Sequence, residues 1–130
     1  NPDKRGVMRI VEEDFRRRID ELGLPLQPRP IDVDELRERF DTGGIPLVLI
    51  SSHRIYEERF PHWLVITGFD DRFIYAHDPF VDIDEGETVA DSINMPIARS
   101  EFERMARYGR SGQRAVVVVS RRSGAGPTGA

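Results

Sequence analysis

The 130-residue chain has no cysteine. Disulfides, thiolate metal sites and a thiol nucleophile of its own are therefore all excluded. Its three histidines, His53, His62 and His77, lack the close spacing of a metal-binding pair. Gly43 and Gly44 lack the lysine and following Ser or Thr of a phosphate loop. No metal, nucleotide or other cofactor is expected. No apolar run approaches the ~18 to 20 residues a membrane-spanning helix needs, and no signal peptide with an apolar middle opens the chain. The 19 basic and 23 acidic residues are interspersed, giving a net charge of -4, so no single-sign field points to nucleic acid or to a lipid surface. A soluble, cytoplasmic protein without nucleic-acid or membrane partners is the expectation.

What is present suggests one core. Val7, Met8, Val11, Phe15, Ile19 and Leu22 recur at three- and four-residue intervals, the pattern of an amphipathic helix over about residues 4 to 22, with Gly23 as its stop. A second helix is expected from about Asp32 to Phe40, with Asp32 as its cap and Val33, Leu36 and Phe40 as its apolar stripe. A third is expected over about residues 101 to 108, with Ser100 and Glu103 as a capping box. Between and after them lie four strand-like stretches, about residues 46–51, 62–69, 72–78 and 115–120. The first and last are nearly all apolar and read as strands buried on both faces. Residues 81–96 are acidic and read as irregular, and Ser123 to Ala130 reads as a disordered tail. The sum is an α+β fold, an antiparallel β-sheet packed with helices.

The stretch PHWLVITGFDDRFIYAHDPF, residues 61–80, sets His62 at the start of one strand and Asp78 at the end of the next. An imidazole needs a neighbour that fixes its tautomer and stabilises its protonated form, and Asp78 is suited to do this for His62. The competing reading is a turn aspartate at Asp-Pro beside a strand-capping histidine. Register decides whether they meet. A two-residue loop at Asp70–Asp71 sets His62 opposite Pro79 and sends the two side chains to opposite faces, whereas an odd loop or a bulge brings them onto one face. The odd loop or bulge is expected on functional grounds.

Other polar groups also admit two readings. Ser51 and Ser52 end the strand expected beside His62. One of them either bonds the imidazole, acts as a nucleophile, or merely punctuates the strand, and no G-x-S-x-G elbow surrounds them. Trp63 either lines a substrate groove or belongs to the core. His77 is expected to face away from Asp78, and His53 lies in a polar loop. Tyr56 to Arg59 form a charged loop ahead of His62, either a peptide contact or a solvated connection.

GGIPLVLIS (43–51), PHWLVITGFDD (61–71) and FIYAHDPFVD (73–82), with MRIVEEDFRRRIDELGLPL (8–26) and RSEFERMARYGR (99–110), resemble the C-terminal half of papain-like bacterial cysteine peptidases related to the double-glycine bacteriocin-processing peptidases. The pattern His-aromatic-x-Val-x-x-Gly with a downstream Asp-Pro carries the likeness. The resemblance implies the β-rich lobe of a papain-like fold, with His62 as general base and Asp78 as its orienter. The family's nucleophilic cysteine and oxyanion-hole glutamine have no counterpart here, since Gln27 and Gln113 stand in other contexts. Two explanations stay open: a fragment of a longer polypeptide, suggested by an opening at Asn1-Pro2-Asp3 without an initiator methionine, or a degenerate relative without activity. On the first, residues 1–122 are the C-terminal part of a peptidase-like domain and 123–130 its tail. The implied partners are the missing N-terminal part of the same polypeptide, a peptide substrate and, through the face left exposed, a second copy in a homodimer.

Overall fold

The computed structural model describes residues 2–51, 61–80, 83–107 and 114–122, with the backbone alone at Pro2. It divides into two units, residues 1–30 and 31–130. The expected tail, Ser123 to Ala130, lies outside the described residues, as do Ser52, His53 and the loop Tyr56 to Arg59.

The first unit holds helix α1, Pro2–Glu21. Charged pairs one turn apart line it: Arg16 to Glu12 at 3.0 Å, Arg18 to Asp14 at 3.1 Å, and Arg17 to the same Asp14. Such exposed pairs contribute a few tenths of a kcal/mol each. Gly23, at φ 65°, ends the helix in the left-handed region, while the Leu24 amide returns to the Ile19 carbonyl at 3.0 Å. No helix among the described residues is long and apolar enough to cross a membrane.

The second unit is an antiparallel sheet of five strands in the order β4-β3-β2-β1-β5 with two helices, α2 (Val33–Asp41) and α3 (Arg99–Met105). Its strands are β1 (Ile45–Ser51), β2 (Pro61–Phe69), β3 (Phe73–His77), β4 (Met95–Ala98) and β5 (Val116–Val119). The α+β, antiparallel expectation holds. Alternate residues of the central strands make one apolar face: Val48 and Ile50, Leu64 and Ile66, Ile74 and Ala76 are all buried. Val33 and Leu36 of α2 and Phe102 and Met105 of α3 belong to the same core. Burying each of the fully covered Leu and Ile side chains contributes about 1.5–3 kcal/mol.

Asp32 caps α2 as its position suggests, accepting from the Glu35 amide at 2.8 Å. Arg99, at the start of α3, reaches Asp34 in the first turn of α2 at 2.5 Å. That contact, before any other cause, raises the Arg99 pKa. The turn from α2 into β1 demands a glycine. A Cβ at Gly44 would stand 2.6 Å from Cγ1 of Val118 and 2.9 Å from the Arg39 carbonyl oxygen.

Three expectations need correction. Residues 81–96 are not wholly irregular: a short 3-10 helix, Val89–Ser92, precedes β4. Pro96 lies within β4, a terminal strand, where a missing amide is tolerated. Ser100 caps nothing. Helix α3 starts directly from β4, and the Arg99 amide is already bonded to the Arg72 carbonyl at 3.1 Å. The four valines of β5 are not buried on both faces: β5 is also terminal, and Val117 to Val119 are exposed.

Candidate active site

The hairpin of β2 and β3 turns at residues 70–73, where the Asp70 amide bonds the Phe73 carbonyl at 3.0 Å. The loop residues are thus Asp71 and Arg72, one position later than the sequence suggested. Asp70 organises the turn. Its carboxylate accepts from the Arg72 amide at 2.8 Å, the Phe73 amide at 2.6 Å and the Tyr75 hydroxyl at 2.5 Å. The Tyr75 hydroxyl, followed by the two amides, holds the Asp70 carboxyl below its ordinary range, and the same contact pushes the Tyr75 phenol up.

Next to the turn, Phe69 pairs with Ile74 and Gly68 with Tyr75; further on, Ile66 pairs with Ala76 and Val65 with His77. One residue of β2, Thr67, is therefore left over, and it forms a bulge. Carried down without a bulge, the Phe69–Ile74 alignment would set Asp78 opposite Val65, on the face away from His62. The extra residue instead sets Asp78 opposite Leu64, so that His62 becomes its diagonal neighbour on the same face, about 7 to 8 Å away along the backbone. The expected bulge is present, and a two-residue turn accompanies it.

His62 Nε2 and Asp78 Oδ1 lie 2.6 Å apart. The Asp78 side chain is 0% exposed and that of His62 13%. Burying a carboxylate costs several kcal/mol unless it is paired and hydrogen-bonded. Besides the imidazole, Oδ1 accepts from the Phe80 amide at 2.8 Å, and the Asp78 amide donates to the Ser92 carbonyl at 2.9 Å. With Nε2–H donated to the carboxylate, the lone pair of the imidazole sits on Nδ1.

The remaining candidates lie elsewhere. Ile50 of β1 is the residue opposite His62, while Ser51 pairs with Pro61 and Trp63 with Leu49. Alternation therefore sends Trp63 and Ser51 to the other face of the sheet, away from His62. Trp63 is half-exposed there, so neither side chain stands beside the pair. His77 also faces that side, as expected, and its Nδ1 accepts from the Asn94 amide at 3.0 Å. Ser92, Asn94 and the bulge residue Thr67 were not anticipated. The available signal was Asn94 itself, since asparagine enters the left-handed region more readily than most residues and holds φ 49° here.

An apolar cleft opens between α2 and α3 over Val48, with Leu36 and Phe102 in its wall and Glu103 and Arg114 among its charged residues. Neither His62 nor Asp78 is among its described lining residues. Among the described residues, no group of three or more His, Asp or Glu side chains is placed to hold a metal ion.

The model of a family described as Peptidase_C39 like family matches residues 1–120. No curated protein and no solved structure matches the chain.

Proposed function

The chain belongs to the Peptidase_C39 like family, and on that footing we propose that it is the β-rich lobe of a papain-like cysteine peptidase, contributing His62 as general base and Asp78 as its orienter. The observation that carries this reading is the 2.6 Å contact between His62 Nε2 and Asp78 Oδ1. It commits Nε2 to the carboxylate, and this reading assigns the nucleophile's proton to the other ring nitrogen, Nδ1. The chain has no cysteine, so the thiol comes from a segment outside these 130 residues, and the lobe alone does not cut peptides. With that segment in place, Nδ1 takes the thiol proton, the thiolate attacks the peptide carbonyl, and the imidazolium returns the proton to the leaving amine. Water then attacks the acyl-enzyme, Nδ1 taking its proton and returning it to the departing thiolate.

The finer kinship, to the C-terminal half of the double-glycine bacteriocin-processing peptidases, rests on the text of residues 43–51, 61–71 and 73–82. In this reading the partners are the thiol-bearing segment and a peptide, and the lobe by itself pairs with a second copy. The absence of cysteine favours one other reading, a lobe that keeps the peptidase shape and binds a peptide without cutting it. A thiol-directed probe on the complete gene product separates the two. The peptidase reading expects one labelled cysteine whose labelling falls sharply in His62→Ala. The binding reading expects no labelling that depends on His62.

A further inference from the structure

The His62–Asp78 pair exists only because Thr67 is extra in β2, and Thr67 is tied down from the opposite face of the sheet. Its hydroxyl donates to Asn94 Oδ1 at 2.8 Å. The Ala76–Met95 pairing of β3 with β4, continued by one residue, sets Asn94 opposite His77, and the Asn94 amide donates to His77 Nδ1 at 3.0 Å. The side chain of Asn94 thus spans β3 and joins β4, at one edge of the sheet, to the bulge on β2. Two residues earlier, the Ser92 carbonyl accepts from the Asp78 amide at 2.9 Å, and the Ser92 hydroxyl donates to the Phe80 carbonyl at 3.4 Å. The segment 92–94 therefore holds the bulge, the end of β3 and the backbone of Asp78 together.

We propose that Thr67 and Asn94 are positioning residues for the His62–Asp78 pair, forming a clasp that keeps the one-residue register offset on which the pair depends. The buried set Leu64, Ile66, Ile74 and Ala76 fixes the overall register, since a slip of one residue would send one strand's members to the other face. The side-chain bond to Thr67 adds to this by holding the surplus residue in its place. The catalytic consequence of the clasp rests on reading the pair as the working base and its orienter; its effect on register does not.

The test is solution NMR on this chain with three variants. The wild type is expected to give a downfield, slowly exchanging His62 Nε2 proton and cross-strand contacts joining Leu64 to Asp78. Thr67→Val keeps the strand-forming shape and removes the hydroxyl. Asn94→Gly tolerates the positive φ, removes the side chain with its acceptor and keeps the backbone amide that bonds His77. Both are expected to weaken or lose the downfield proton and the Leu64–Asp78 contacts, whereas Thr67→Ser, which keeps the hydroxyl, retains the wild-type signals. Wild-type signals in a folded Asn94→Gly or Thr67→Val overturn the proposal, as does their loss in Thr67→Ser. Should His62→Ala leave thiol reactivity of the complete gene product unchanged, the peptidase reading fails while these register signals stand.

Discussion

His62 Nε2 and Asp78 Oδ1 meet at 2.6 Å across neighbouring antiparallel strands, and the meeting depends on a single surplus residue, Thr67, between them and the hairpin turn. Remove that residue from the register and the two side chains part to opposite faces. The carboxylate is wholly covered and the imidazole nearly so, so each is the other's compensation for burial as well as its chemical partner.

Asp78→Asn preserves shape and the Phe80 contact while replacing the carboxylate that fixes the imidazole tautomer. On the peptidase reading, the kcat of the complete gene product is expected to fall by roughly 10²- to 10⁴-fold with little change in the circular dichroism spectrum. Steady-state hydrolysis of a peptide substrate checks it, and unchanged kcat would deny Asp78 its orienting role.

His62→Ala takes a donor from a buried carboxylate. The cost is expected at about 1–3 kcal/mol of stability, read as a lower urea midpoint for this chain at pH 7. A variant as stable as the wild type would mean that the pair contributes nothing to folding.

Gly44→Ala forces a Cβ to within 2.6 Å of Val118 Cγ1 and 2.9 Å of the Arg39 carbonyl oxygen. Overpacking of this kind costs about 1–3 kcal/mol. Adding Val118→Ala relieves the first clash and leaves the second, so the double variant is expected to recover part of the loss in thermal melts. Recovery of none of it would assign the whole cost to the backbone of α2.

Asp70 links stability to acid. Its folded pKa lies below the ordinary carboxylate value, near 3.8, because the Tyr75 hydroxyl and two amides bond the ionised form. The resulting stabilisation is fully present above the ordinary value and is lost as pH falls through the lowered one. Asp70→Asn is therefore expected to lower Tm at neutral pH, with the gap to wild type narrowing below about pH 3.8. A gap that stays constant with pH would remove Asp70 from this linkage.

Much of the site was legible in the sequence for physical reasons. A histidine opening one strand and an Asp-Pro closing the next constrain each other through strand parity, so the pair itself demanded an odd loop or a bulge. Its location at Thr67 was not legible, because the bond that marks it comes from Asn94, 27 residues on. Strand β4 was hidden by Pro96 and by its length of four residues, which leaves only Ile97 as a buried apolar signal. The valines of β5 misled in the opposite sense. Branched side chains favour strands wherever they stand, so a run of them does not distinguish the middle of a sheet from its rim.

The most direct measurement is the rate of iodoacetamide alkylation against pH for the complete gene product and its His62→Ala variant. A thiolate held beside the His62 imidazolium is expected to react at rates that persist well below the ordinary thiol pKa near ~8.5, and His62→Ala is expected to return the profile to that ordinary value. Superimposable profiles for the two proteins, or a gene product with no reactive cysteine, would contradict the assignment of His62 as the base of a cysteine peptidase.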